Sequence, residues 1–294
     1  MGSRTLSEFE YLKPMSIDKA ISLLRKYGDK AKVLAGGSDL FINIKLRRIR
    51  PEYLVDITGI TELKGIIFNG KELRIGAATL LSEIADSQLI REKYVTLFEA
   101  VAEMATTQVR NIATIGGNIC NASPAADTAP PLIVLEAKAE IAGQSGVRAV
   151  LLEEFFTGPG QTALKAGDIL TAISIPAPVQ HRGTSFIKIG RTVRDLATLN
   201  VAVALKTDNS TCQDVKIALG AVAPPPIRAK KTEAILKKEG INQNTIAKAA
   251  KAVTEEIHPI TDIRATSDYR KDVAAVITKR AILKAYERSK KSGG

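Results

Sequence analysis

Residues 108–131, QVRNIATIGGNICNASPAADTAPP, constrain this chain more than any other stretch. They show neither the helical nor the strand period of apolar residues. They are rich in glycine, asparagine, serine and proline, and a run of this length without regular structure inside a compact domain is usually functional. The rest of the chain can supply such a domain. Of its 294 residues 45% are apolar, enough for two ordinary domains or one large one. No window reaches the roughly 18 uninterrupted apolar residues of a membrane span. The opening, MGSRTLSEFEYLKP, lacks the apolar core of a secretory signal. Cys120 and Cys212 lie far apart with no CxxC pair, which argues against a disulfide scaffold or a structural zinc site. An intracellular, cytoplasmic protein is the simplest expectation.

Around that segment the periodicities are ordinary. Ser16 is placed to cap a helix whose Ile17, Ala20, Ile21, Leu24 and Tyr27 share one face. Residues 32–35 read as a strand that runs into Gly36-Gly37-Ser38, and 39–49 as an amphipathic helix ended by Pro51. Residues 53–57 and 73–77 are strand-like, while 80–90 and 96–104 are helical. The second of these helices carries Thr96 and Glu99 at the spacing of a capping box. Strand-like runs recur at 138–142, 147–152 and 169–175. Pro176-Ala177-Pro178 is the best boundary. Beyond it, 185–189, 201–206 and 215–222 read as three strands, the last two joined through a polar turn at 207–214. Pro224-Pro225-Pro226 ends that sheet, and amphipathic helices follow at 245–257 and 269–286. No repeat of fixed period is present. The fold class is α+β.

Two loops carry the candidate chemistry. Ala35-Gly36-Gly37-Ser38-Asp39-Leu40 follows a strand and opens a helix. Its glycines allow torsions closed to other residues and let a ligand approach the main chain. Free N–H groups there, with the Ser38 hydroxyl, can hold phosphate oxygens. Taken alone, the loop is equally a tight strand-to-helix turn. Thr114-Ile115-Gly116-Gly117-Asn118 repeats the combination of hydroxyl, paired glycines and, here, an amide. Two such loops in one domain can clamp a pyrophosphate from both sides. Neither has the GxGxxG or GxxxxGK[ST] spacing, so neither a Rossmann fold nor a P-loop NTPase is supported. Asp127, a short way on, is placed either to accept hydrogen bonds from ribose hydroxyls or to cap a helix at Pro130-Pro131.

Other chemistries lack their residues. His181 and His258 are isolated, with no metal-ligand spacing. Residues 143–146 are too short for a GxSxG elbow. With no self-contained acid–base or nucleophilic constellation, any chemistry rests on a cofactor. The net charge is +11, from 42 basic and 31 acidic side chains. Charge alone names no partner. Aromatic residues are only 4% with no Trp, so stacking platforms for a nucleic-acid-binding module are scarce. Lys45, Arg47, Arg48 and Arg50 read as a solvated helix face, and a docking face for an acidic partner protein fits the composition better than a nucleic-acid site.

The chain resembles the FAD-binding medium subunits of the molybdenum hydroxylases, the xanthine, carbon monoxide and nicotinate dehydrogenase group. The resemblance runs along nearly the whole chain: Phe9-Glu10-Tyr11 to Pro14 and residues 16–24; the 35–40 loop; Gln108-Val109-Arg110-Asn111 with 113–118 and Ser123-Pro124-Ala125-Ala126-Asp127, the most specific stretch; and 219–228 with Tyr269-Arg270. It implies an FAD-binding domain at 1–176 in two α/β subdomains, about 1–57 and 58–176, of the vanillyl-alcohol-oxidase type. It implies a second domain at 177–290 with a three-stranded antiparallel sheet and helices.

It also implies contacts to a non-covalent FAD. Val33, Leu34, Ala35, Gly36, Gly37, Ser38, Asp39 and Leu40 would wrap the pyrophosphate. Thr114, Ile115, Gly116, Gly117 and Asn118 would close the other side. Asp127 would bind the ribose or adenine half, with Met104 and Leu170 as apolar contacts and Lys188 near the ring. Leu170 and Lys188 rest on weaker local motifs, Met104 on its offset alone, and core packing explains Met104 and Leu170 equally well. Ser38 stands where relatives often have Thr or His, and either hydroxyl can serve. The loop after Lys188, with Arg191, Arg194 and Asp195, would gate the acceptor edge. The implied partners are a large subunit with a molybdenum cofactor and a small subunit with [2Fe-2S] clusters, in a dimer of heterotrimers. Electrons would pass to NAD+, O2 or another acceptor. The branch with an added cluster in this subunit is disfavoured, because two cysteines cannot supply four ligands. A stand-alone FAD-dependent oxidoreductase is the alternative.

Overall fold

Ser16 caps the first helix, α1 (Ile17–Tyr27), its hydroxyl accepting from the Lys19 N–H, and Ala20, Ile21 and Leu24 form the buried stripe. The computed structural model describes residues 8–208 and 211–291. Around α1, strands β1 (Glu10–Leu12), β2 (Ala31–Leu34) and β3 (Tyr53–Asp56) form a parallel sheet in the order β1-β3-β2. Helix α2 spans Leu40–Lys45, shorter than the expected 39–49. Lys45, Arg47, Arg48 and Arg50 are exposed on and after it. Val55, Ile57 and Ile60 pack under α1 in a core that also takes in Ala78, Ala142 and Ile169.

A second layer begins with β4 (Ile66–Phe68) and β5 (Glu72–Gly76). The expected 80–90 helix is two, α3 (Leu81–Asp86) and α4 (Gln88–Lys93), because Ser87 is extended and recaps the chain. Helix α5 follows at Val95–Glu103. The irregular segment contains three short helices: α6 (Thr107–Arg110), α7 (Ile115–Cys120) and α8 (Ala129–Val134). At four to six residues they are too brief to show an apolar period in sequence. Then come β6 (Lys138–Gly143), β7 (Gly146–Leu151), α9 (Leu152–Phe155), the small pair β8 (Phe156–Gly158) and β9 (Gln161–Thr162), and β10 (Ile169–Pro176). The main sheet is antiparallel, ordered β4-β5-β10-β6-β7.

The third layer is β11 (Arg182–Ile189), β12 (Leu199–Asp208), β13 (Thr211–Gly220) and a two-residue β14 (Ile227–Arg228), all antiparallel. The three long strands match the expected number, and β14 adds a short edge. The strands run well into the expected 207–214 turn, whose tip, residues 209–210, lies outside the described residues, as do residues 1–7 of the opening. Helices α10 (Lys230–Glu239), α11 (Gln243–Ala252) and α12 (Ser267–Lys291) cover one face.

Strand β12 explains its own sequence. Leu199, Val201, Val203 and Leu205 pack under the C-terminal helices. Ala202 and Ala204, on the opposite face, join the core of the second layer. A sheet buried on both faces loses polar alternation, and the small alanines let that layer approach.

The capping box at Thr96 is corrected by this packing. The helix starts at Val95 with Tyr94 before it, and no side chain caps it. Thr96 is fully buried and its hydroxyl donates to the Ser185 carbonyl at 3.0 Å. Glu99 accepts from the Phe186 N–H at 2.9 Å, from Arg288 at 2.6 and 3.1 Å, and pairs with Lys284 at 2.8 Å. Both residues fasten α5 to β11 and α12 instead of closing their own helix.

Candidate functional site

The two glycine loops meet. A Cβ on Gly36 would lie 1.9 Å from the Ile112 carbonyl oxygen and 2.8 Å from Ala113 Cα. Only a hydrogen at that position lets the first loop seat against the chain entering the second. Gly37 follows with φ +71°, a left-handed conformation that other residues rarely adopt, and the Phe41 ring covers it. Across this turn the backbone N–H groups of Gly36, Gly37, Ser38 and Asp39 meet no acceptor among the described residues. Four half-exposed or exposed main-chain donors in sequence are what an anionic ligand needs. Val33 and Asp39 are exposed, Leu34 is core, and Ala35, Ser38 and Leu40 are half-buried.

The second loop is built differently. Thr114 caps α7, its hydroxyl accepting from the Gly117 N–H at 3.0 Å. The Ile115 N–H donates to the Thr79 carbonyl at 3.0 Å, that of Gly116 to Ala77 at 2.9 Å and that of Asn118 to Thr114 at 3.0 Å. The donors of Gly117 and Asn118 are spent on Thr114, and those of Ile115 and Gly116 on holding the loop to residues 77–79. Gly116 permits that contact, since its Cβ would stand 2.6 Å from the Ala77 carbonyl oxygen. What the loop offers outward is the bare surface of exposed Gly117 and the Asn118 amide. The Asn118 carbonyl accepts from the buried Thr128 hydroxyl at 2.6 Å, which orients the amide and leaves its NH2 donors without a partner among the described residues.

Asp127 adjoins Thr128 and does not cap the following helix. Helix α8 opens after Thr128 with no side-chain cap. The Asp127 carboxylate is instead buried between the Lys188 ammonium, 2.5 Å from Oδ2, and the Asn200 amide, which donates to Oδ1 at 2.8 Å. Burial pushes the carboxyl upward, against the pull of the Lys188 charge and of both hydrogen bonds. The structure thus brings two expected residues, Asp127 and Lys188, into direct contact, and links them through Thr128 to Asn118 of the second loop.

Met104 and Leu170 both lie in the core of the second layer, 8% and 4% exposed. Leu170 sits at an irregularity in the β10–β6 pairing. Met104 ends α5, and its carbonyl accepts from Arg110 at 2.8 Å. Arg110 was not singled out from the sequence as a separate site residue. Its guanidinium also donates to the Ala105 carbonyl at 2.9 Å and to the Thr107 hydroxyl at 3.2 Å, and it makes no ion pair among the described residues. Burial lowers its pKa. Arg110 is thus a buried cation tied to the turn that leads into the second loop. Asn200 also escaped sequence reading, because only strand register places it beside Asp127. Two shallow surface depressions lie elsewhere, along residues 11–23 and between Ile189–Arg191 and Arg264–Tyr269. Neither touches the glycine loops.

Two family models match successive parts of the chain. Residues 7–178 match the FAD binding domain in molybdopterin dehydrogenase, and residues 184–285 match the CO dehydrogenase flavoprotein C-terminal domain. The chain belongs to the FAD-binding medium subunits of the molybdenum hydroxylases. Within this family it is 35% identical over 280 residues to the carbon monoxide dehydrogenase medium chain of Hydrogenophaga pseudoflava, covering 95% of this chain and 98% of that one. It is 33% identical over 278 residues to the putative xanthine dehydrogenase FAD-binding subunit of Escherichia coli strain K12, covering 94% and 95%. A solved carbon monoxide dehydrogenase from H. pseudoflava superposes with a TM-score of 0.94 over 97% of this chain and 99% of that one, at 35% identity. Quinoline 2-oxidoreductase from Pseudomonas putida 86 gives 0.91 over 99% and 100%, at 30% identity.

The family's flavin is FAD, and the chain is the flavoprotein component of an oxidoreductase. The residues present fit that cofactor: unpartnered main-chain donors at 36–39, an oriented amide at Asn118, and a glycine surface that a Cβ would fill. Among the described residues no helix is long and apolar enough to cross a membrane, and no cluster of side chains could hold a metal ion.

Proposed function

We propose that this chain is a cytoplasmic electron-transfer subunit that takes electrons from [2Fe-2S] centres on a small partner subunit. A large partner would carry the molybdenum cofactor and the substrate site, in a dimer of heterotrimers. Residues 1–176 would form the FAD-binding domain, split near residue 57, and 177–290 the C-terminal domain. The observation that carries this reading is the run of main-chain donors at Gly36 to Asp39 with no partner among the described residues, seated against the chain that leads into the loop with the oriented Asn118 amide. Bound FAD would supply the chemistry, accepting electrons from the partner and giving them to NAD+, O2 or another acceptor.

The chain's own residues would hold and orient it. Residues 33–40 would take the diphosphate through the N–H groups of Gly36 to Asp39. Thr114 to Asn118 would close the opposite side through Asn118 and the Gly117 surface. Asp127 would meet the ribose or adenine half, with Lys188 neutralising its charge. Met104 and Leu170 would give apolar contacts. The loop after Lys188 would border the acceptor edge. There the Arg191–Asp195 pair at 2.8 Å and Arg194, at φ +66°, shape an exposed turn.

Purification of the tagged full chain from its native host tests the reading. Flavin, iron and molybdenum should co-migrate with two further chains, and the electrons of an added substrate should reach the iron–sulfur absorbance before the flavin. A yellow monomer that oxidises a substrate unaided would establish the stand-alone oxidoreductase instead.

A further inference from the structure

Lys188, Asn200 and Gly220 occupy one row across three strands. Lys188 is the register partner of Asn200 across β11 and β12, and Asn200 is the partner of Gly220 across β12 and β13. Lys188 and Asn200 each take one oxygen of the Asp127 carboxylate, at 2.5 and 2.8 Å. Lys188 and Asp127 are 5% and 4% exposed at their side chains, and Asn200 is fully buried. The 123–127 loop is gripped a second time by the same sheet end, where the Ala221 N–H donates to the Pro124 carbonyl at 2.7 Å.

Asn200 does not fit its surroundings as a packing residue. The positions beside it on that face of the sheet are Ala202, Ala204 and Ala218. Its Oδ1 is buried and has no donor among the described residues, an arrangement that is destabilising. Alanine would match the pattern and remove the orphaned oxygen, but it would also give up the hydrogen bond to Asp127. Room for the amide comes from Gly220, whose Cβ would lie 2.4 Å from Asn200 Oδ1. The amide gives what the lysine cannot. An ammonium is a point charge on a flexible stem and attracts a carboxylate without fixing its plane. A second donor on the other oxygen fixes that plane and adds no charge to a buried, neutral pair.

We infer that Asn200 is a positioning residue for the flavin site: with Lys188 it locks the carboxylate plane of Asp127, so that retention of the adenosine half of FAD depends on the C-terminal sheet. The inference rests on the proposed placement of Asp127 against that half.

The test uses the full chain stripped of flavin, with FAD and FMN titrated by flavin fluorescence. FMN lacks the adenosine half. Asn200→Ala should weaken FAD about tenfold, the worth of one hydrogen bond to a charged group, and leave FMN affinity unchanged. Adding Asn200→Ala to Asp127→Ala should cost no further affinity, because the amide acts only through that carboxylate. Equal weakening of FAD and FMN would reduce Asn200 to a structural role and overturn the inference. If Asp127→Ala weakens FAD while Asn200→Ala does not, the inference alone fails. If Asp127→Ala leaves FAD affinity unchanged, the placement of Asp127 fails and the inference falls with it.

Discussion

Gly36→Ala isolates the contact that joins the two loops. The added methyl would sit 1.9 Å from the Ile112 carbonyl oxygen and 2.7 Å from its carbon. Both are main-chain atoms, so no side chain can rotate away. To reach ordinary van der Waals separation the loops must part by about 1.5 Å. Overpacking of this kind costs about 1–3 kcal/mol, which for a chain of this size lowers Tm by about 2–10 °C. The effect on FAD should be larger in proportion. Parting the loops by that distance removes at least one hydrogen bond to the charged diphosphate, worth about 1.5–3 kcal/mol, and raises Kd about ten- to a hundredfold. Differential scanning fluorimetry of the apoprotein and fluorescence titration with FAD measure the two separately. Gly59→Ala is the control: its Cβ would meet only the ends of the Lys13 and Met15 side chains, at 3.2 Å or more, and both measurements should stay at wild-type values. Wild-type FAD affinity in Gly36→Ala would refute the reasoning that the loop junction shapes the site.

Three further outcomes follow from side chains away from the loops. Glu99→Gln should lower stability by about 2 kcal/mol, less than the roughly 3–5 kcal/mol of a fully buried broken pair because Arg288 and Lys284 are partly exposed; urea denaturation reads this. Asp214 is pushed up by burial but held at about 2 by hydrogen bonds from Lys216 and Lys237 and by their charges. A depressed folded pKa stabilises above the unfolded value of 3.8 and is lost as pH falls from there through about 2, so Asp214→Asn should flatten the fall of Tm across that window. Cys120 is half-buried as a residue, yet burial pushes its thiol up to about 12 and that of Cys212 to about 11. Neither should react with iodoacetamide at pH 8 until the chain is unfolded, and rapid native alkylation of Cys120 would contradict its inert packing.

Some of this architecture was legible in the sequence because single residues carry it. Ser16 marks a helix start by chemistry that needs no partner element, and the paired glycines of the two loops announce a close approach before its target is known. Other features depend on what lies across the fold. Thr96 and Glu99 have capping-box spacing, but the same spacing suits two side chains reaching a neighbouring strand, and tertiary packing won. Strands β1 and β4, of three residues each, are too short to show an alternating pattern, and the Lys-rich α10 went unread. Asn200 became visible only when strand register set it opposite Lys188. The free donors at 36–39 and the spent ones at 115–118 could not be told apart from two similar glycine motifs, because the difference lies in the Ala77 and Thr79 carbonyls and in the Thr114 cap.

The most direct measurement is the affinity of the flavin-free chain for FAD, FMN and riboflavin under one set of conditions. A cradle built from the main-chain donors at Gly36 to Asp39 and the Asn118 amide should bind FAD tightest, FMN more weakly and riboflavin weakest, with Gly36→Ala narrowing the gap between FAD and riboflavin. Equal affinity for all three, unaffected by Gly36→Ala, would contradict a diphosphate site at these loops.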